Sequence, residues 1–193
     1  MTTDLLDRSR SALVIIDVQE KLFPHVHERD RMLARIDLLV FAAKLMGIPV
    51  LLTEQYPRGL GNTIQEIRQA LPEIQPLTKM DFSCVPAPGF AERLSSTHRD
   101  QIVLAGIEAH VCVAQTALDL ASRGENVIIV ADAVSSRRPL DAQIALRRLE
   151  QSGLTLSTAE AVVFEWLRRA GTEEFKAIQP RLKQLELRIE KRP

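Results

Sequence analysis

Residues 101–115 read QIVLAGIEAHVCVAQ, and the change of pattern within this stretch decides the fold. Ile102, Val103, Leu104 and Ala105 form a continuous apolar run with no breaker, the pattern of a strand covered on both faces in a parallel sheet. The run is expected to stop at Gly106. From Ala109 the spacing turns helical: Val111, Ala114, Leu118 and Ala121 form one apolar stripe, which ends at Arg123 and the capping Gly124. Cys112 is therefore expected in the first turn of a helix that follows a central strand. Unpaired backbone N–H groups and the positive end of the helix dipole would there favour a thiolate, lowering its pKa below the free value of about 8.5. By residue type alone a free cysteine is a small buried hydrophobe, so a nucleophilic role rests on what else converges on Cys112.

Working outward, residues 12–16 are a first buried strand that delivers Asp17 at its carboxyl end. A break at Leu22, Phe23 and Pro24 and a polar loop at 25–29 lead to a helix predicted over 31–46 and capped by Gly47. Residues 49–53 are a second strand, and the Gly- and Pro-containing segment 54–63 is expected to be loop. Ile64, Ile67 and Leu71 suggest a short helix, Pro72 and Pro76 bracket an extended piece leading to Lys79, and 90–96 is a further short helix. Residues 126–130 are another buried strand; Pro139 starts a helix that Gly153 ends; 154–157 is a last strand, after which Thr158 N-caps a helix through Trp166. A charged amphipathic helix is predicted from 172 to about 189. Strands alternating with helices imply a mostly parallel α/β sheet with helices on both faces and right-handed crossovers. Ligands in such sheets bind beyond the carboxyl ends of the strands, where strand order reverses, so Asp17 and Cys112 are expected to share one crevice.

Composition narrows the function. The 193-residue chain is expected to form a single domain over 1–193, long enough to bury a core without a staple. Lys plus Arg and Asp plus Glu are 25 each, so no long-range field favours nucleic acid or an anionic membrane as partner. Cys84 and Cys112 are the only cysteines, too few for a disulfide framework, which points to a reduced, cytoplasmic setting. The first ten residues, MTTDLLDRSR, resemble neither a secretory signal nor a transit peptide, and no apolar segment reaches membrane-spanning length. Dinucleotide and P-loop fingerprints are absent, and DVQ at 17–19 replaces the DxD of a haloacid-dehalogenase-like phosphatase. His25 and His27 are the only close histidine pair and read as an exposed loop, since spacing fixes no third ligand.

The motifs IIDVQ at 15–19, TK at 78–79 and AGIEAHVCV at 105–113 together resemble the isochorismatase-like cysteine hydrolase superfamily. TEQYPRGLGNT at 53–63, DAVSSR at 132–137 and LSTAE at 156–160 resemble its isochorismatase-domain-containing subgroup. The resemblance implies a three-layer Rossmann-like α/β fold and a homo-oligomer. It also implies a triad in which Cys112 is the nucleophile, Asp17 the general base and acid, and Lys79 the cation that stabilises the thiolate. A cis peptide between Ile107 and Glu108 would turn the N–H groups of Glu108 and Cys112 into an oxyanion hole. The chemistry implied is hydrolysis of a small-molecule C–N bond through a thioester. Isochorismatase itself cleaves a vinyl ether and typically lacks the cysteine, so Cys112 argues against that reaction. Nicotinamidases of the superfamily carry an Asp and closely spaced histidines after the second strand; Glu54, Gln55 and Tyr56 stand there, so neither a metal nor another cofactor is expected.

Gln19, Phe23, Tyr56, Leu60 and His110 are candidate pocket residues, and Arg137 and Arg138 could bind a substrate carboxylate or lie at a subunit contact. Cys84 reads as structural. Two other readings stand beside the amide hydrolase: hydrolysis of a vinyl ether or ester, and a non-catalytic scaffold with Trp166 and the terminal helix at an interface.

Overall fold

The computed structural model describes residues 4–190; the ends of the expected 1–193 domain, residues 1–3 and 191–193, lie outside the described residues. Six strands form one sheet: β1 (Ser11–Ile16), β2 (Val50–Gln55), β3 (Leu77–Lys79), β4 (Gln101–Ile107), β5 (Asn126–Ser135) and β6 (Thr155–Ser157). Their spatial order is β3-β2-β1-β4-β5-β6, and every neighbouring pair is parallel. The helices are α1 (Arg29–Leu45), α2 (Pro57–Leu60), α3 (Gln65–Ala70), α4 (Phe90–Ser95), α5 (Ala114–Ser122), α6 (Pro139–Gln151), α7 (Ala159–Leu167) and α8 (Glu173–Glu190).

The continuous apolar strands are continuous because both sheet faces are covered, and alternate residues enter different cores. Leu13, Ile15, Val103, Ala105, Ile128 and Val130 pack with Ile36, Leu39, Val162, Trp166 and Ile178 from α1, α7 and α8. Ala12, Val14, Ile16, Ile102, Leu104, Val127 and Ile129 pack with Phe90, Ala117 and Leu149 from α4, α5 and α6. At ~25 cal/mol per Å² of apolar surface, these two layers supply the main driving force for folding. From β1 the chain lays down β2 and β3 on one side and then returns to the other side of β1 for β4. The switch point therefore lies between the carboxyl ends of β1 and β4.

The structure departs from the sequence reading in several places. Gly106 does not end the central strand: β4 runs to Ile107, paired with β1 to the end, Ile16 opposite Gly106. Gly106 has φ +121°, and a Cβ there would stand 2.1 Å from the Ile16 carbonyl oxygen, so glycine marks a close backbone approach instead of a break. Segment 54–63 is not all loop, since Glu54 and Gln55 finish β2 and Pro57–Leu60 makes one helical turn. The extended piece before Lys79 is a sixth strand, β3. Beyond Ile129, β5 bulges, so that Gly106 pairs with Val134.

Trp166 is not at an interface: it is 1% exposed, with its indole N–H donating to Ser11 Oγ at 2.9 Å. The terminal helix α8 packs on α1, burying Ile178 and stacking Arg181 4.0 Å above the Phe41 ring centroid. Among the described residues no helix is long and apolar enough to cross a membrane.

Candidate active site

Asp17 follows the last residue of β1, fully buried, with φ +52°, a left-handed conformation that Asp tolerates better than most side chains. Its Oδ1 accepts a 2.7 Å hydrogen bond from the hydroxyl of Thr53 on neighbouring β2, and its Oδ2 lies 2.7 Å from Lys79 Nζ at the end of β3. Both side chains of this ion pair are 0% exposed. Lys79 Nζ also donates to Gln55 Oε1 at 2.7 Å, Phe82 O at 2.9 Å and Asp81 O at 3.2 Å. Asp17 Oδ2 is thus held by the Lys79 ammonium in a buried, charge-assisted contact.

Cys112 arrives from the far side of the switch point. The Ile107–Glu108 peptide is cis, and Ala109–Val113 form a π-helical turn that leads into α5. Cys112 therefore sits in a π-turn ahead of the α-helix. The expected thiolate is also corrected. Burial pushes the Cys112 thiol up, the Asp17 carboxylate pushes it the same way, and Lys79 opposes without prevailing. The physical reason is charge balance: Lys79 neutralises Asp17, so a thiolate would add a second, uncompensated negative charge to a buried site. Burial alone would lower the Lys79 pKa, but Asp17, with smaller contributions from Cys112 and Cys84, raises it, so the lysine stays an ammonium.

Cys84 belongs to the same neighbourhood, which its sequence position did not reveal. Its thiol stands 3.8 Å from Thr53 Oγ1 and its backbone N–H donates to Thr116 Oγ1 on α5. Burial, then Asp17, push it to about 11. Thr53 and Gln55, which hold Asp17 and Lys79, were likewise missed: Thr53 reads as the last residue of the second strand and Gln55 as part of the loop after it.

Of the candidate pocket residues, Gln19 is fully buried with its amide committed: Nε2 donates to the Gln55 and Gly61 carbonyls, and Oε1 accepts from Gln55 N–H. Tyr56 is exposed and its ring lies over Gly59, Leu60 is half-buried, and Phe23 packs against the α1 core. His110 Nδ1 is 2.9 Å from Ser136 Oγ, and its Nε2 stands 4.0 Å from Asp141. Arg137 is spent on Glu108, its backbone N–H and Nε both reaching Glu108 Oε1 at 3.0 Å. The motif from Asp132 to Arg137 thus clasps neighbouring elements: Asp132 accepts from Ala159 N–H and pairs with Arg35, and Ser135 Oγ donates to the His27 carbonyl. Glu54 accepts from both the N–H and hydroxyl of Thr63. Among the described residues, no three His, Cys, Asp or Glu side chains are grouped to hold a metal ion.

Residues 11–161 match the Isochorismatase domain. The chain belongs to the isochorismatase family. It is 40% identical over 174 residues to the zebrafish (Danio rerio) isochorismatase domain-containing protein 2, covering 90% of this chain and 87% of that one. A Caenorhabditis elegans structure named as MAR1 ribonuclease superposes with TM-score 0.87 at 35% identity, over 93% of each chain. The YcaC gene product of Escherichia coli, described as an octameric hydrolase of unknown specificity, shares the fold at TM-score 0.85 and 24% identity, over 96% of this chain and 90% of that one. As an isochorismatase-family protein, this chain carries that family's hydrolase fold, with the Asp17–Lys79 pair at its switch point.

Proposed function

We propose that this protein is a cysteine hydrolase that cleaves an amide-type C–N bond of a small molecule, with Cys112 as nucleophile, Asp17 as base and acid, and Lys79 as the fixed cation. The observation that carries the reading is the fully buried Asp17–Lys79 pair beside the Cys112 thiol, with both charges acting on that thiol. The Cys112 proton passes to Asp17 as sulfur attacks the carbonyl carbon, and the oxyanion is met by the N–H groups of Glu108 and Cys112. Asp17 returns the proton to the leaving nitrogen as the C–N bond breaks. A water then attacks the thioester, giving one proton to Asp17, and the S–C bond breaks to release the acid; Asp17 returns that proton to sulfur.

Because the resting thiol is protonated, base and nucleophile act in one step. No metal or cofactor takes part in this cycle, and the balanced net charge supports a small molecule over a nucleic acid or membrane. Cys84 and Cys112 are both unpaired thiols, which supports a cytoplasmic setting. The octameric state stated for YcaC supports a homo-oligomer, with exposed Met80, Phe82, Leu140 and Ile144 as apolar surface to cover.

The test is a panel of primary amides, carbamoyl amides, esters, a vinyl ether and short RNA, each offered to wild type and to Cys112→Ala. Amide cleavage with ammonia or amine release, abolished in the variant, is expected. Ester, vinyl ether or RNA cleavage that survives Cys112→Ala would overturn the proposal.

A further inference from the structure

The turn that carries Cys112 is tied down from one side. The Glu108 carbonyl accepts from the N–H groups of Val111 at 3.0 Å and Val113 at 3.2 Å, the residues on either side of Cys112. In an α-helix that carbonyl would take the Cys112 N–H itself, so the π-turn releases this donor from its usual bond. What holds the turn in that shape lies just past the carboxyl end of β5. Glu108 Oε1, on a side chain only 8% exposed, accepts from both the backbone N–H and the Nε of Arg137 at 3.0 Å. Two residues further along the turn, His110 Nδ1 stands 2.9 Å from the hydroxyl of Ser136, itself fully buried.

We propose that Ser136 and Arg137 are positioning residues for the oxyanion site: through His110 and Glu108 they hold the N–H groups of Glu108 and Cys112 aimed at one point. The proposal rests on the hydrolase reading above and deepens it. Neither residue need touch substrate. Two Arg137 donors converge on one Glu108 oxygen, one of them charged, and this fixes the direction of the Glu108 side chain. A donor stabilises an oxyanion only over a narrow range of distance and angle, so a small displacement of the turn costs rate without unfolding the protein.

Two reactions of the same thiol separate this role from others. Acylation by p-nitrophenyl acetate passes through a tetrahedral oxyanion: the Cys112 sulfur bonds the acetyl carbon, its proton goes to Asp17, and p-nitrophenolate leaves. Alkylation by iodoacetamide forms an S–C bond at a saturated carbon with loss of iodide, and develops no oxyanion. A change in the acidity or exposure of Cys112 moves both rates together, whereas misaimed oxyanion donors slow the first alone. Glu108→Ala is expected to slow the p-nitrophenolate burst about 30-fold, with Cys112 alkylation within about threefold of wild type. Glu108→Gln keeps the acceptor oxygen and restores most of the loss. Arg137→Met, which leaves the backbone N–H bond in place, and Ser136→Ala each slow the burst about fivefold with alkylation little changed. Peptide mapping assigns the acetyl and alkyl groups to Cys112 and not Cys84. A fall of both rates in proportion, no fall in either, or a Glu108→Gln as slow as Glu108→Ala overturns the proposal. Should Glu108→Ala fail to fold, Ser136→Ala and Arg137→Met, the latter at a largely exposed side chain, decide by the same ratio. If wild-type Cys112 takes neither reagent, the hydrolase reading fails and the proposal with it; a ratio that stays constant in the variants overturns the proposal and leaves that reading standing.

Discussion

Asp17 meets three demands at one position: it ends a buried strand, takes a left-handed backbone turn, and presents Oδ1 to Thr53 and Oδ2 to Lys79. Its charge is also the second cause, after burial, of the raised Cys112 pKa. Asp17→Asn therefore has two opposite effects. Removing the negative charge leaves Lys79 facing the thiol alone, so the apparent pKa of Cys112 falls and alkylation at neutral pH quickens. Amide turnover meanwhile drops by about 10²- to 10⁴-fold, because no group accepts the thiol proton. Lys79→Ala moves the alkylation profile the other way, to higher pH, since it removes the charge that opposes the shift. Rates of alkylation between about pH 6 and 10, with mapping of the labelled peptide, check both signs; a Cys112 that is less acidic in Asp17→Asn would sink the account of its electrostatics. A sequence gives the identity of these three residues but not this balance. A helix start suggests a thiolate, whereas burial and the Asp17 charge decide for the thiol, and both depend on what folds around Cys112.

At the scale of elements, the central strands were legible because burial on both faces writes itself as unbroken Ile, Val and Leu. The unpatterned parts were not: β3 is three residues between prolines, and the outer part of β5 follows a bulge that no local signal marks. Gly106 was read as an end because glycine weakens a strand, but its role is set by a neighbour 90 residues away in sequence, Ile16. Gly106→Ala tests this. The added methyl would meet the Ile16 carbonyl oxygen at 2.1 Å and its nitrogen at 2.6 Å, both backbone atoms in paired strands, at a φ of +121° that alanine rarely adopts. The expected cost is about 4 kcal/mol or more, large enough to leave the chain mostly unfolded or insoluble. A urea midpoint within a few tenths molar of wild type would show that β1 and β4 can part there, and with them the placement of Asp17 against Cys112.

Across the whole molecule, the alternation of strand and helix was enough to place the site at the carboxyl edge, since every crossover in a parallel sheet returns the next strand in the same direction. What it left unread was the cost of putting so many ionisable groups in that edge. Lys79, Cys112 and Cys84 are buried together around Asp17, and each holds its proton more tightly folded than unfolded. The sign of the linkage follows. A raised folded pKa contributes stability that is complete below the unfolded value and is lost as pH rises through the folded one. For Cys84 the window runs from 9.0 to about 11, with burial the chief cause. Within it the folded state binds one more proton than the unfolded chain through this residue, so stability falls by about 1.4 kcal/mol per pH unit on its account. Cys84→Ala removes that contribution. Its own cavity lowers stability by an amount that does not depend on pH, so the variant is expected to start lower at about pH 8 and to lose less than wild type on going to about pH 10.5. Urea midpoints of both proteins at the two pH values measure the difference directly. Curves that fall in parallel would mean that the Cys84 thiol titrates in the fold as it does in the open chain, and that water reaches it beside Thr53 and Thr116.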